Sequence, residues 1–333
     1  MSSKENNGGP GTRAAREKVS FASGDIELAA WHYPGTNGAC VIMAGGFGVT
    51  KEPGTDLFAA RFHEAGFTVL AFDFRRLGES GGRPRQVVRI REELDDYQAA
   101  IAFAGTLPGV DADRLAVWGF SLSGGHVFRV AARNPRLGAA IAQTPNADCQ
   151  AIVRNAARHQ KPLAMLRLTG RAVLDVLGQS VGRPPRLAPL NGRPGTVAFL
   201  TTPDAQQTDQ ALNSGNRYPA WQQDAAAGFA LRLGFYRPGQ DARRVQVPLL
   251  VVACDQDESA LPGPAIAAAS RAPRGELVRL PGGHYQPFLD GHAQAADAEV
   301  SFLRRHLVGL EPTEFETVGA AVDRPQRGRR SGN

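Results

Sequence analysis

The chain has no run approaching the roughly 18 uninterrupted apolar residues of a membrane-spanning helix. Its first residues also lack the apolar stretch of about 7–15 residues that a secretory leader needs. A cytoplasmic protein without membrane insertion is therefore expected. Cysteine is scarce: Cys40, Cys149 and Cys254 are odd in number, far apart and without a C-x-x-C pair. That argues against a disulfide framework or a zinc site and fits a reducing compartment. With no Gly-rich nucleotide fingerprint and no metal-spaced histidine cluster, no cofactor and no metal are expected. The net charge of +6 is not accompanied by any nucleic-acid-binding motif, and Arg324, Arg327, Arg329 and Arg330 crowd the very end. Nucleic acid is not an expected partner.

What is present is apolar material for one large core. Of 333 residues, 42% are hydrophobic and 21% charged, enough for a core of about 250–290 residues or a core with a small insertion. Residues 1–18 and 311–333 are polar and Gly- or Arg-rich, and both are expected to be disordered tails. Between them, short apolar runs (ACVIMA at 39–44, TVLAFDF at 68–74, RLAVWG at 114–119, LGAAIAQ at 137–143) alternate with helical patterns. Continuous Val/Ile/Leu/Ala runs separated by helices predict an α/β architecture, a mostly parallel sheet with helices on both faces. From 150 to 240 the alternation breaks into helical pieces and Pro/Gly-rich loops, and VPLLVVACDQD (247–257) and ELVRL (276–280) then resume the sheet. The expected organisation is a sheet core, 19–149 and 241–310, interrupted by a helical lid, 150–240.

The stretch AVWGFSLSGGHVF (116–128) ends an apolar run among small residues. A strand that turns abruptly into a helix presents one residue at the sheet's tip, provided that its neighbours two away are nearly without side chain. Two serines compete on size. Ser121 has Gly119 and Ser123 at those places, and Ser123 has Ser121 and Gly125. Register decides: RLAVWG ends at Gly119, leaving Ser121 at the tip and Ser123 within the first helical turn. Ser121 is therefore the candidate nucleophile, with the Leu122 amide beside it at a helix N-terminus, where a developing oxyanion is stabilised.

A serine hydroxyl needs a base, and the base an orienting acid. In an α/β sheet both come from loops after later strands, in the order Ser, acid, His. VVACDQD ends a strand with Asp255 and Asp257, of which Asp257 leaves room for a short loop and is preferred. RLPGGHYQPF then supplies His284 behind a glycine pair, whereas His126, His292 and His306 sit on helices. The glycines of AGGFG (44–48) let a backbone amide point into a pocket, which makes the Phe47 N–H the second oxyanion donor.

These pieces, with AGGFGVTKE, FDFRRLGESGG, WGFSLSGGHV, VVACDQD and PGGHYQPF in order, resemble the α/β-hydrolase superfamily over about 19–310. The resemblance is to its dienelactone-hydrolase-like and serine-peptidase-like members with a helical lid, relatives of polyketide-modifying enzymes. It implies Ser121, Asp257 and His284 as the catalytic set and Phe47 and Leu122 as the oxyanion hole. Two motifs depart from the usual pattern: Gly45-Gly46 replaces His-Gly, and Arg75-Arg76 replaces Arg-Gly. The expected reaction is hydrolysis of an ester or thioester through an acyl-serine, on an apolar acyl or polyketide-type substrate. The alternative is a tailoring enzyme that transfers the acyl group or eliminates a carboxylate such as acetate. Leu163, Met165, Leu166, Leu168 and Trp221 are candidate pocket walls. Residues 150–193 carry eight basic residues against Asp175 alone, a face suited to an acyl-carrier protein or a coenzyme A thioester.

Overall fold

The computed structural model describes residues 16–309. Its centre is an eight-stranded sheet. In chain order the strands are β1 (Glu17–Ser23), β2 (Ile26–Tyr33), β3 (Cys40–Ala44), β4 (Thr68–Phe72), β5 (Leu115–Phe120), β6 (Ala139–Gln143), β9 (Leu249–Cys254) and β10 (Gly275–Leu280), while β7 (Leu187–Pro189) and β8 (Asp224–Ala226) form a separate antiparallel pair. The order across the sheet is β1-β2-β4-β3-β5-β6-β9-β10. From β4 to β10 every pairing is parallel, and β1 and β2 add an antiparallel edge.

The parallel strands from β3 to β9 are buried along their whole length, as strands covered on both faces must be. Alternate residues divide between two cores. Cys40, Ile42 and Ala44 face α2 (Ile90–Ala104), α3 (Leu122–Arg133) and α8 (Pro262–Arg271), while Val41 and Met43 face α1 (Thr55–Glu64) and α9 (His292–Leu303). Each large side chain fully removed from water here, such as Phe58, Phe62 or Phe128, contributes about 1.5–3 kcal/mol.

Between β6 and β9 the chain leaves the sheet. It forms α4 (Cys149–His159), α5 (Pro162–Ser180), the β7–β8 pair, α6 (Thr208–Leu212) and α7 (Ala230–Leu233). Asp148 starts α4 by accepting from the Gln150 and Ala151 amides, satisfying donors that a helix start leaves free. The two three-residue strands are too short to give a periodic signal.

The expected N-terminal tail needs correction at its boundary. Arg16 lies over the Trp31 ring at 4.0 Å and pairs with Asp56 at 2.7 Å and Glu52 at 3.0 Å, and Glu17 and Lys18 already belong to β1. Paired charge on an aromatic face and a strand ladder order what composition alone marks as loose. Residues 1–15, and the tail expected at 311–333, lie outside the described residues.

Trp118 on β5 is fully buried and donates its indole N–H to Glu299 of α9 at 3.0 Å. Burial pushes the Glu299 carboxyl well above the usual carboxylate range, the Trp118 bond opposing it in part. The folded chain therefore keeps a proton that the unfolded chain gives up, so this group lowers stability as pH rises above the ordinary glutamate value. Glu299→Gln, which keeps an acceptor and cannot ionise, should raise Tm by about 2–4 °C near pH 8. The gain should vanish toward pH 4 in thermal unfolding followed by circular dichroism; an equal shift at both pH values would refute the titration argument.

Candidate active site

Ser121 joins β5 to α3 with φ 57° and ψ −113°, a conformation that side chains rarely adopt and that persists only when its surroundings enforce it. The enforcing contact is close backbone packing. A Cβ on Gly119 would lie 2.4 Å from the Ser123 carbonyl oxygen, and one on Gly125 would lie 2.7 Å from that of Asn146. Ser121 also has its amide bonded to the Gln143 carbonyl at the end of β6.

The two serines part company here. Ser123 is buried, and its hydroxyl accepts from the Phe120 amide at 3.0 Å and donates to the Ala44 carbonyl at 2.8 Å. It ties the turn to the end of β3. The Ser121 hydroxyl instead meets Nε2 of His284 at 3.0 Å, and Nδ1 of the same ring meets Asp257 Oδ2 at 2.8 Å. The other Asp257 oxygen accepts from the Ala260 amide at 2.6 Å. Asp255 lies away from the histidine, on Arg279 at 2.8 Å. His126 bonds Glu93 and Tyr236, His292 the Pro287 carbonyl, and His306 Glu276. Among the described histidines, His284 is the one against Ser121.

The loop after β3 runs beside Ser121: a Cβ on Gly46 would sit 3.2 Å from Ser121 Cβ. Phe47 is the next residue of that loop, and Leu122 is the first residue of α3 after Ser121. A buried ion pair braces the loop, with Lys51 Nζ on Asp73 Oδ2 at 2.9 Å and the Lys51 amide on Asp73 Oδ1 at 2.7 Å. The Phe47 ring stacks on Phe229 at 4.5 Å and meets Phe199 edge-on at 4.8 Å, both from the inserted segment.

The expected pocket walls fare unequally. Trp221 is buried, and its indole N–H donates to the Gly48 carbonyl at 2.9 Å, so it holds the loop that carries Phe47. Leu168 packs with Ala172, Ala188 and Ala227 inside the insertion, and Met165 is half-buried. Leu163 and Leu166 are corrected: they are 57% and 68% exposed, because α5 turns Ala164, Ala172 and Asp175 inward and these leucines outward. Phe199 and Phe229 occupy the place beside Phe47 instead.

One residue escaped the sequence reading. Asp204, buried in the inserted segment, accepts from the Glu258 amide at 2.8 Å, the Ser259 amide and hydroxyl at 3.2 and 2.6 Å, and the His284 amide at 3.3 Å. It joins the loop of the acid to the loop of the histidine. Burial would raise its carboxyl, but the neighbouring His284 and donors from Ser259, Thr202 and Glu258 hold it below the usual carboxylate range. Nothing marks it in TTPDAQQ beyond an aspartate after a proline.

Burial pulls the His284 pKa down, yet the Asp257 charge, its hydrogen bond and the charge of Asp204 together lift it above the ordinary histidine value. The groups facing the ring are these two carboxylates, the Ser121 hydroxyl, and the Phe120 and Tyr285 rings. Nitrogen-15 NMR of labelled histidine should find His284 titrating above 6.5, and lower in Asp204→Asn than in the natural chain. An unmoved midpoint in that variant would mean that Asp204 braces the loops without acting on the ring.

Comparison with known proteins shows the family and the fold. The family model described as serine aminopeptidase, S33, matches residues 36–290. The quorum-quenching protein AidA of Acinetobacter baumannii is 35% identical over 292 residues, covering 86% of this chain and 94% of that protein. A thiohydrolase of Eupenicillium brefeldianum is 32% identical over 174 residues, 52% of this chain and 54% of its own length. The solved structure of the α/β hydrolase GrgF from Penicillium superposes with a TM-score of 0.75 over 88% of this chain and 99% of that one, at 22% identity, a likeness of fold. The chain belongs to the serine aminopeptidase S33 family of α/β-hydrolases.

Proposed function

We propose that the protein cleaves an ester or thioester through an acyl-Ser121 intermediate. The observation that carries this reading is the buried relay from Ser121 through His284 to Asp257 at 3.0 and 2.8 Å, set at a strained strand-to-helix turn. Ser121 Oγ attacks the acyl carbon while its proton passes to His284 Nε2. His284 then gives that proton to the departing oxygen or sulfur, and water, deprotonated by the same nitrogen, releases the acid. Asp257 keeps the other ring proton on Nδ1, so Nε2 stays free to accept. The Phe47 and Leu122 amides receive the negative charge of the tetrahedral intermediate.

An apolar acyl or polyketide-type group is the substrate class this reading favours. The Phe47, Phe199 and Phe229 rings offer it an aromatic wall, and a relative bears the name thiohydrolase. In this account residues 150–240 are the lid, and the excess of basic residues over 150–193 receives an anionic carrier, an acyl-carrier protein or coenzyme A, that delivers the thioester. The cytoplasm is the setting we assign: Cys40, Cys149 and Cys254 are free and buried, and among the described residues no helix is long and apolar enough to cross a membrane.

Labelling with a fluorophosphonate tests the nucleophile. Ser121→Ala should abolish labelling, and Ser123→Ala should slow it while leaving it measurable; loss in the second variant alone would reverse the assignment. Asp257→Asn should lower kcat for a chromogenic ester by up to about 10⁴, against little change for Asp255→Asn. Mass spectrometry of the products from a thioester separates hydrolysis, which yields the free acid, from acyl transfer or elimination.

The carrier claim has its own readout. Raising salt from low to moderate concentration should reduce kcat/KM steeply for a carrier-bound thioester and barely for a small neutral ester, because a Debye length near 10 Å at about 0.1 M screens steering. Identical salt responses would remove the carrier from this account.

A further inference from the structure

Three basic side chains stand together on the inserted segment with no carboxylate to answer them. Arg158 and His159 end α4, Lys161 caps the start of α5, and all three line a cleft of about 460 Å³ whose other wall includes Pro194, Thr202 and Gln206. No acidic side chain lines it. Among the described residues no carboxylate pairs with Arg158, His159 or Lys161. The acid next to that wall in sequence, Asp204, is buried and already accepts from Glu258, Ser259 and His284.

Helix polarity does not account for the set. Arg158 and His159 complement the negative end of α4. Lys161 stands at the positive end of α5, where a cation is unfavourable, and no acid lies in that helix's first turn to offset it. One turn before Arg158 on the same helix face is Arg154, a like charge that adds repulsion. Positive charge gathered in this way, and unrelieved among the described residues, calls for an anion from outside the chain.

The cleft is held in shape by its own polar groups. Gln160 Oε1 accepts from the Lys161 amide at 2.8 Å and the Gly195 amide at 2.6 Å, while its Nε2 donates to the Thr196 carbonyl at 2.9 Å. That one side chain ties the α4–α5 turn to the opposite wall. Gly195 takes φ 94°, and a Cβ there would lie 3.2 Å from Lys161 Cδ and 3.7 Å from its Nζ, so the glycine leaves the room in which the lysine stem runs. At the buried end, the Thr202 hydroxyl meets Ser259 Oγ at 2.7 Å, and Ser259 donates to Asp204 at 2.6 Å.

A lone carboxylate would satisfy one of the three basic groups. A phosphate offers oxygens to a guanidinium fork, an ammonium and an imidazole N–H together, and the cleft's volume lies in the range of small-molecule sites. We propose that this cleft binds the phosphate of a phosphorylated ligand through Arg158, His159 and Lys161. The claim gives the anionic carrier described above a specific seat; it rests on that reading for the source of the phosphate but not for its binding. None of the lining residues belongs to the Ser121–His284–Asp257 relay, and the chain of bonds from Thr202 through Ser259 and Asp204 leads from the cleft to the His284 amide.

Isothermal titration calorimetry of the full chain with inorganic pyrophosphate tests it. Saturable one-to-one binding with a Kd below about 1 mM is expected. The same Kd is expected in Ser121→Ala, so failure of the acyl-serine reading leaves this result standing. Arg158→Gln and Lys161→Gln should each raise Kd about tenfold, with thermal unfolding showing that the variants are folded. Arg167→Gln removes the same charge from α5 outside the cleft and should change Kd by less than about twofold. Gly195→Ala keeps every charge and displaces the Lys161 stem, so it too should weaken binding. Coenzyme A and pantetheine separate the sources of the phosphate. Coenzyme A bound more tightly than both pantetheine and pyrophosphate assigns it to a thioester handle; coenzyme A bound no more tightly than pyrophosphate assigns it to a free phosphorylated ligand. The absence of saturable binding up to about 10 mM overturns the proposal. So do acetate bound as tightly as pyrophosphate, and a loss in Arg167→Gln equal to that in Lys161→Gln, which would mark a diffuse basic field.

Discussion

The closeness of β5 to α3 is the constraint on which the rest of the molecule depends. With no room for a Cβ between Gly119 and the Ser123 carbonyl, the chain between them cannot relax, and Ser121 is held at φ 57°. Such a conformation costs of order 1–3 kcal/mol, offset by the bonds converging on the turn. The Ser121 amide is bonded to Gln143, the Phe120 amide to Ser123, and Ser123 in turn to Ala44. Three neighbouring strands, β3, β5 and β6, thus fix one residue. Rigidity here is what lets His284 stand 3.0 Å from the hydroxyl without being carried on the same element.

His284 and Asp257 are placed by loops, which are softer than strands, and their precision comes from the insertion. Asp204 receives donors from both loops, so neither can move without breaking a charge-assisted bond in a buried place. Tyr285 adds a second tie by bonding Thr208 at 2.9 Å. On the opposite side, Trp221 bonds the Gly48 carbonyl, and Phe199 and Phe229 press on Phe47. The inserted segment therefore supports the loops on both sides of Ser121, and movement of that segment would be felt at both ends of the relay.

What could be read in the sequence is what local physics dictates. Strand runs that are buried on both faces announce themselves as unbroken Val/Ile/Ala stretches, and a strand-to-helix turn admits only small residues, so β3, β4, β5, β6, β9 and the turn at Ser121 were legible. The edge strand β1 was not. Its residues alternate loosely between solvent and core, and Arg16 is ordered by Trp31, Glu52 and Asp56, contacts that span up to 40 positions. Asp204 was illegible for a related reason: its partners at 258, 259 and 284 are unconnected to it in sequence. Leu163 and Leu166 misled because helical spacing gives two apolar faces on α5, and only tertiary packing decides which of them turns inward.

A division of labour follows within the fold. The sheet and its turn present Ser121 beside His284, on a fold that serves many chemistries. In the proposed reaction, whether the acyl group leaves with water or with another acceptor depends on which nucleophile reaches it, hence on what surrounds the acyl carbon. In this chain the rings that pack on Phe47 (Phe199 and Phe229) and the buried carboxylate whose charge acts on His284 (Asp204) all lie within 150–240. Under the proposed function, changes within 150–240 would therefore alter the surroundings of the reaction while the Ser121–His284–Asp257 hydrogen bonds stay in place.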